Sequence, residues 1–462
     1  MLQDGTVPTK ILGVPTNDDP TGEVTELLST LIRNACVNDG SDGSGHEARS
    51  VDVLAGYLEG SGLDLERYEP APGRASLVTR IEGRDPDAPT LLLMGHTDVV
   101  PVNPEGWTRD PFGGEVVDGV VWGRGAVDML NLTSSMAVAT RRLADSGFRP
   151  DGTLVYLAVA DEEALGTHGA KFLTENEADA VGADYVITES GGIPMPSPSG
   201  IKLPVVVGEK GTYWCILRVR GTPGHASMPF RTDNALVKAA EVVRRIAEHR
   251  PETRIHDIWR QFVEGMDFPP ELSEPLLRAE GFLELVEALP IGLARQAHAC
   301  THTTFAPTVM RAGTKTNVIP DFVELEIDIR TLPAQDGAEI QAMLRQALGD
   351  LADDVEIVLV SDDPSSASPW DTPLWDAVGR VTAALHPGST PVPFLTAGAT
   401  DARFFRRLGV PSYGFGLFSE HITLDDFSSM FHGDDERVDQ ESLRLSTLLW
   451  EALAADVLTT RT

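Results

Sequence analysis

Residues Leu154 to Glu163 read LVYLAVADEE, seven apolar residues running straight into three acids. A short continuous apolar run of this kind predicts a strand buried on both faces of a parallel sheet, with Asp161, Glu162 and Glu163 delivered at its carboxyl end. Ligands bind along that edge in open α/β sheets. Two adjacent glutamates can divide the work of a hydrolase, one holding a metal while its neighbour handles a proton. Taken alone, Asp-Glu-Glu is more often a solvated acidic turn, so the reading depends on what the other strand ends carry.

Three further strand ends carry chemistry of the same kind. The predicted Thr90–Met94 strand is followed by Gly95, His96, Thr97 and Asp98. A histidine just past a buried strand, with a carboxylate two residues on, suits a metal ligand whose ring is oriented by an acid. Val120–Trp122 leads into the glycine-rich turn GRGAVD, which closes on Asp128. Its glycines permit a tight turn. Ala183–Ser190, ADYVITES, delivers Glu189. The donors are nitrogen and oxygen only, which suits zinc, cobalt or manganese, and because carboxylates bridge, two ions are possible.

The 462 residues exceed what a single core accommodates and predict two or three domains. A formal net charge of −33 argues against nucleic acid and anionic membrane surfaces as partners, because both demand basic patches. Cys36, Cys215 and Cys300 lie far apart with no paired spacing, so neither a disulfide framework nor a thiolate metal site is expected, and a reducing cytoplasm fits best. No segment has the length and apolarity of a membrane span or a signal sequence.

Residues 1–20 read as a polar lead-in. Helices are expected over 21–36 and 47–58, and strands and helices then alternate as in a parallel-rich α/β domain. Beyond Gly211 the pattern changes. A strand over 213–221 is followed by a helix over 234–246 with Leu236, Ala239, Val243 and Ile246 on one face. Over 322–330, Val323, Leu325, Ile327 and Ile329 alternate with Glu324, Glu326, Asp328 and Arg330. With a second helix near Ile340 and a strand over 355–360, the order β, α, β, β, α, β predicts a ferredoxin-like sandwich inserted into the first domain. Residues 251–300 read as an irregular helical insertion within that sandwich. The expected division is 1–211 and 363–462 for a catalytic domain with a central, mostly parallel sheet between helices, and 212–362 for the inserted α+β lid or dimerisation domain.

HTDVVP at 96–101, GRGAVDM at 123–129, ADEE at 160–163, ITES at 187–190 and HGDDERV at 432–438 occur in this order across nearly the whole chain. Together they resemble the co-catalytic metallopeptidase and amidohydrolase family that includes aminoacylase, acetylornithine deacetylase, succinyl-diaminopimelate desuccinylase and glutamate carboxypeptidase. The resemblance implies that Asp128 bridges two divalent ions, zinc first with cobalt or manganese as alternatives. His96 and Glu189 would complete one site, and Glu163 and His432 the other. Glu162 would be the general acid/base, Asp98 the partner of the His96 ring, and the Asp128–Met129 bond a cis peptide. The family's usual Lys-Gly after Asp-Met is Leu130 and Asn131 here.

The resemblance also implies that His225, in GTPGHAS, donates to the oxyanion and in family dimers reaches into the neighbouring subunit. Arg330 and Asn317 would hold a substrate carboxylate, with Gly398 and Thr400 of TAGATD near the same end. The other histidines match no ligand position. The implied protein is a dinuclear metal hydrolase of dipeptidase or carboxypeptidase type, acting on a small molecule beside a free carboxylate and dimeric through the inserted domain. An N-acyl amino acid deacylase or desuccinylase is the alternative substrate reading, and a metal-binding homologue without turnover the rival from another class.

Overall fold

The computed structural model describes residues 18–459, so most of the expected lead-in, residues 1–17, lies outside the described residues. At the centre of the larger sheet four parallel strands stand in the order Thr153–Val159, Thr90–His96, Tyr185–Thr188 and Ser412–Gly414. Antiparallel strands Arg74–Ile81 and Leu65–Ala71 extend one side. On the other, Gly200–Glu209 runs antiparallel to Ser412–Gly414 and parallel to Ser389–Thr396.

Helices on both faces explain the unbroken apolar run of Leu154–Ala160. Leu154, Tyr156 and Ala158 face a core shared with helices Thr21–Asn34, Leu130–Asp145 and Gln440–Leu458. Val155, Leu157 and Val159 face the opposite layer, where Ala170, Leu173, Val181 and Phe405 cover them. Side chains alternate across a strand, so a strand covered twice must be apolar at every position.

The smaller sheet is antiparallel throughout, in the order Thr304–Ala312, Phe322–Thr331, Gly211–Arg220 and Val355–Asp363. Helices Ala235–Glu248 and Gly337–Leu348 cover one face, giving the expected ferredoxin-like order. Val323, Leu325, Ile327 and Ile329 all point inward, as their alternation predicts.

Two expectations need correction. The first helix of this sandwich buries Ala235, Ala239, Val242 and Ile246 and leaves Leu236 exposed. Asn234 caps it, accepting from the Leu236 and Val237 amides, and so sets the phase of the buried stripe. Residues 251–300 do form helices, but they are not packed within the sandwich. Ile258, Phe262, Phe282 and Ala297 join the core of the larger sheet, and the Phe262 ring lies 5.2 Å from that of Phe394 on Ser389–Thr396. The chain leaves the sandwich between two of its elements in order to cover the outer strand of the other sheet.

Candidate metal centre

The four acid-bearing strand ends and the His432 loop meet at the carboxyl edge of the parallel strands. Asp161, just past Thr153–Val159, takes a left-handed backbone (φ 71°), which Asp tolerates better than most residues, and opens the 3-10 turn Glu162–Ala164. That turn separates the two glutamates. Donor atoms of His96, Asp128 and Glu163 lie within 4.8 Å of one another, and so do those of His96, Glu162 and Glu189.

Asp128 stands between two imidazoles. Its Oδ1 is 3.2 Å from His96 Nε2 and its Oδ2 is 3.1 Å from His432 Nε2. Glu163 Oε2 lies 3.4 Å from His432 Nε2, and Glu189 Oε2 lies 3.8 Å from His96 Nε2. His432 reaches in from a half-exposed loop, whereas His96, Asp128 and Glu189 are buried. The Asp128–Met129 peptide is cis.

The ring of His96 is held differently from the expectation. Its Nδ1 sits 2.9 Å from the backbone oxygen of Asp98, while the Asp98 carboxylate is 3.6 Å away. In the neutral ring an Nδ1–H donated to that carbonyl would leave Nε2, on the side of Asp128 and Glu189, as the nitrogen that can bind a cation. The Asp98 carboxylate instead accepts from Asn38 Nδ2 at 2.8 Å and from the Glu163 amide at 3.1 Å. It therefore holds the Glu163 turn rather than the ring. Asn38 lies outside the five motifs, and Glu436 lies within HGDDERV without an expected role. Glu436 is buried and accepts from the amides of Gly125, Val127 and Asp128 at 2.9, 2.7 and 3.0 Å, and from Arg124 Nη1 at 2.8 Å. It thereby fixes the turn that presents Asp128.

Six ionisable groups this close perturb one another. Burial and then the charge of Glu189 raise the Glu162 carboxyl well above its ordinary value. Burial and the adjacent Asp128 push Glu163 up to about 7. Burial acts the same way on Asp128, but hydrogen bonds from His432 and His96 outweigh it and hold that carboxyl below the usual range. Hydrogen bonds to Asp128 and Glu163 push His432 up to about 10. Burial opposes the His96 cation, yet Asp128 and Glu189 raise it well above a free imidazole.

The donor set suits a pair of divalent cations. Both oxygens of one buried carboxylate meet an imidazole Nε2, a further carboxylate lies on each side, and the buried Glu163 Oε1 has no hydrogen-bond partner among the described residues. The three cysteines are buried outside this set.

The remaining expected site residues do not join it. His225 pairs with Val318 in a two-stranded ribbon, and its exposed ring meets Ser227. Asn317 is on the same ribbon, its backbone oxygen accepting from the Ala226 amide at 3.1 Å. Arg330 spends Nε and Nη2 on both oxygens of Asp328 and Nη1 on Thr212. Gly398 borders an apolar cavity rather than a cationic pocket. Thr400 is buried, and its amide and hydroxyl both donate to Glu209 at 2.8 Å, so neither faces a substrate.

The profile of Peptidase family M20/M25/M40 matches residues 92–456. An N-fatty-acyl-amino acid synthase/hydrolase PM20D1 of Xenopus tropicalis is 30% identical over 81% of this chain and 73% of its own length. Human aminoacylase-1 is 29% identical over 85% of this chain and 87% of its own. Among solved structures, the M20 family metallo-carboxypeptidase Sso-CP2 of Sulfolobus solfataricus superposes with a TM-score of 0.70 at 18% identity, covering 96% of this chain and 99% of that one. The Bacillus subtilis YXEP protein, a dinuclear metal binding peptidase, gives 0.58 at 16% identity, covering 95% and 99%.

Proposed function

The chain belongs to peptidase family M20/M25/M40 and is a metal-dependent hydrolase of C–N bonds, and from that premise we propose that it cleaves an amide beside a free carboxylate, with Glu162 as its general acid/base. The observation that carries this is Asp128 flanked by His96 and His432, beside a Glu162 that makes no ion pair among the described residues. Two divalent cations, zinc first and cobalt or manganese as alternatives, would polarise the scissile carbonyl and acidify the attacking water.

His96 and Glu189 would hold one cation and Glu163 and His432 the other, with Asp128 shared. Glu162 would accept the proton from water and return it to the departing nitrogen, a role worth about 10²–10⁴-fold in rate. His225 would donate to the oxyanion and Arg330 would grip the substrate carboxylate once the smaller domain closes, since both lie outside the cluster in this conformation. Asn317, on the His225 ribbon, would add a second polar contact.

A dipeptidase or carboxypeptidase reading leans on solved neighbours below 20% identity, human carnosine dipeptidase 1 and Sso-CP2 among them, which speak to fold alone. The N-acyl amino acid reading is favoured by relatives at 29–30% identity and by an uncharged cavity beside the centre. The test is Glu162→Gln: the variant should keep its full metal content and lose turnover of every substrate. Full activity would defeat the mechanism. Wild-type hydrolysis silenced by chelation and restored by metal would exclude a homologue without turnover.

A further inference from the structure

An apolar cavity of about 320 Å³ lies against the metal centre. Ser190 and Phe431 in its wall directly adjoin Glu189 and His432 in the chain, and the Phe431 ring stacks on His432 with centroids 4.9 Å apart. Met195, Phe262, Leu293, Phe394 and Phe427 form much of the remaining lining, and among the described residues no Asp, Glu, Lys, Arg or His lines it. A larger cavity of about 650 Å³, lined by Arg74, Asp161 and His168, also adjoins the centre, through Asp161 beside Glu162, and its charged wall suits a polar occupant instead.

Phe262 and Leu293 come from helices Asp257–Gly265 and Ile291–Thr301, the segment that leaves the sandwich to pack on the larger sheet. That departure from chain order therefore has a chemical product, an apolar wall at the catalytic edge. The charge inventory decides among occupants. A substrate ammonium or a dicarboxylic acyl group would enter a wall with no counter-ion, and an unpaired buried charge is costly. An aliphatic chain loses only its hydration.

We propose that this cavity receives the acyl chain of N-acyl amino acids and selects uncharged, extended aliphatic acyl groups over acetyl, over succinyl, and over peptides with a free amine. The proposal rests on the amide-hydrolase reading above and deepens it. Burying each methylene against these walls gives about a fourfold gain in kcat/KM per added CH₂ until the cavity is filled.

The experiment is a series of N-acyl-alanines from acetyl to decanoyl, with succinyl-alanine and leucyl-alanine alongside, assayed on metal-loaded protein. The expected result is a kcat/KM that climbs with chain length from acetyl, with the succinyl and leucyl compounds at or below acetyl. Leu293→Trp should bring the octanoyl-to-acetyl ratio to about one, and Met195→Trp does the same from a second element should the first variant fold poorly. Calorimetric binding of octanoyl-alanine and acetyl-alanine to the metal-loaded Glu162→Gln protein gives a readout independent of turnover. A flat series, equal affinities, or a preference for succinyl-alanine or leucyl-alanine would overturn the acyl pocket. If wild-type protein turns over none of these compounds, the hydrolase reading fails, and the octanoyl-to-acetyl difference in binding still decides the cavity.

Discussion

Glu436 has no proton to move in the proposed reaction, yet three backbone amides and a buried arginine converge on it to shape the turn that ends in Asp128. Groups that orient metal ligands typically contribute about 10–100-fold in affinity. Glu436→Gln should therefore weaken metal binding by about that factor in a chelator competition, although Glu436 touches no candidate ligand side chain. Unchanged affinity would reduce it to a packing residue. The ligands themselves should separate by content. His432→Ala should lose one of two ions and Asp128→Ala both, as read by elemental analysis. At this scale the sequence showed which acids and histidines end strands, because strand ends have a pattern. It did not show Glu436, whose partners are main-chain groups some 310 positions away, nor that Asp98 orients His96 through its carbonyl. Backbone acceptors leave no mark on residue identity.

Between elements, close approach replaces chemistry as the constraint. A Cβ on Gly95 would lie 2.4 Å from Thr133 Oγ1 and 3.0 Å from Thr133 Cα, so the Thr90–His96 strand touches helix Leu130–Asp145 at that glycine. Gly95→Ala should cost about 1–3 kcal/mol in thermal denaturation, as overpacking does. Gly56→Ala, whose added methyl meets nothing within 4 Å in helix Ala48–Leu58, should be neutral or stabilising.

Lys210 sits between the strands of the two sheets and donates to the carbonyls of Ala299 and His302, at the end of helix Ile291–Thr301. Burial lowers its ammonium to about 7. Its folded value lies below its unfolded one, so the unfolded chain holds more protons between pH 7 and the ordinary lysine range. Stability should rise with pH across that window by at most about 1.4 kcal/mol per unit, and the cost should be fully present below pH 7. Urea melts at pH 7 and 9.5 should show this slope in wild type and a shallower one in Lys210→Met. Strands Thr90–His96, Thr153–Val159 and Phe322–Thr331 were legible as apolar runs or alternation, whereas the antiparallel pair Leu65–Ala71 and Arg74–Ile81, half-exposed on one strand, was not. Nor was the destination of residues 251–300, because helical periodicity reports that a face is buried and not which sheet buries it.

Across the whole molecule, the open question is which copy of His225 serves a given metal centre. His225 and Asn317, at the ribbon, are exposed, and among the described residues their hydrogen bonds and strand pairing reach Ser227, Val318 and Ala226 rather than the acid and histidine cluster. Closure of the smaller domain could supply the histidine from the same chain, while the family resemblance implies a dimer in which the neighbouring subunit supplies it. Complementation separates the two. His225→Ala and Glu162→Gln are each expected to be inactive alone. If the histidine crosses between subunits, a mixed dimer joins the intact Glu162 of one chain to the intact His225 of the other at one of its two centres. Unfolding and refolding the variants together in equal amounts should then restore about a quarter of wild-type activity, since half the dimers are mixed and each has one complete centre. Closure within one chain leaves every centre of the mixture defective, and activity stays at the level of the separate variants.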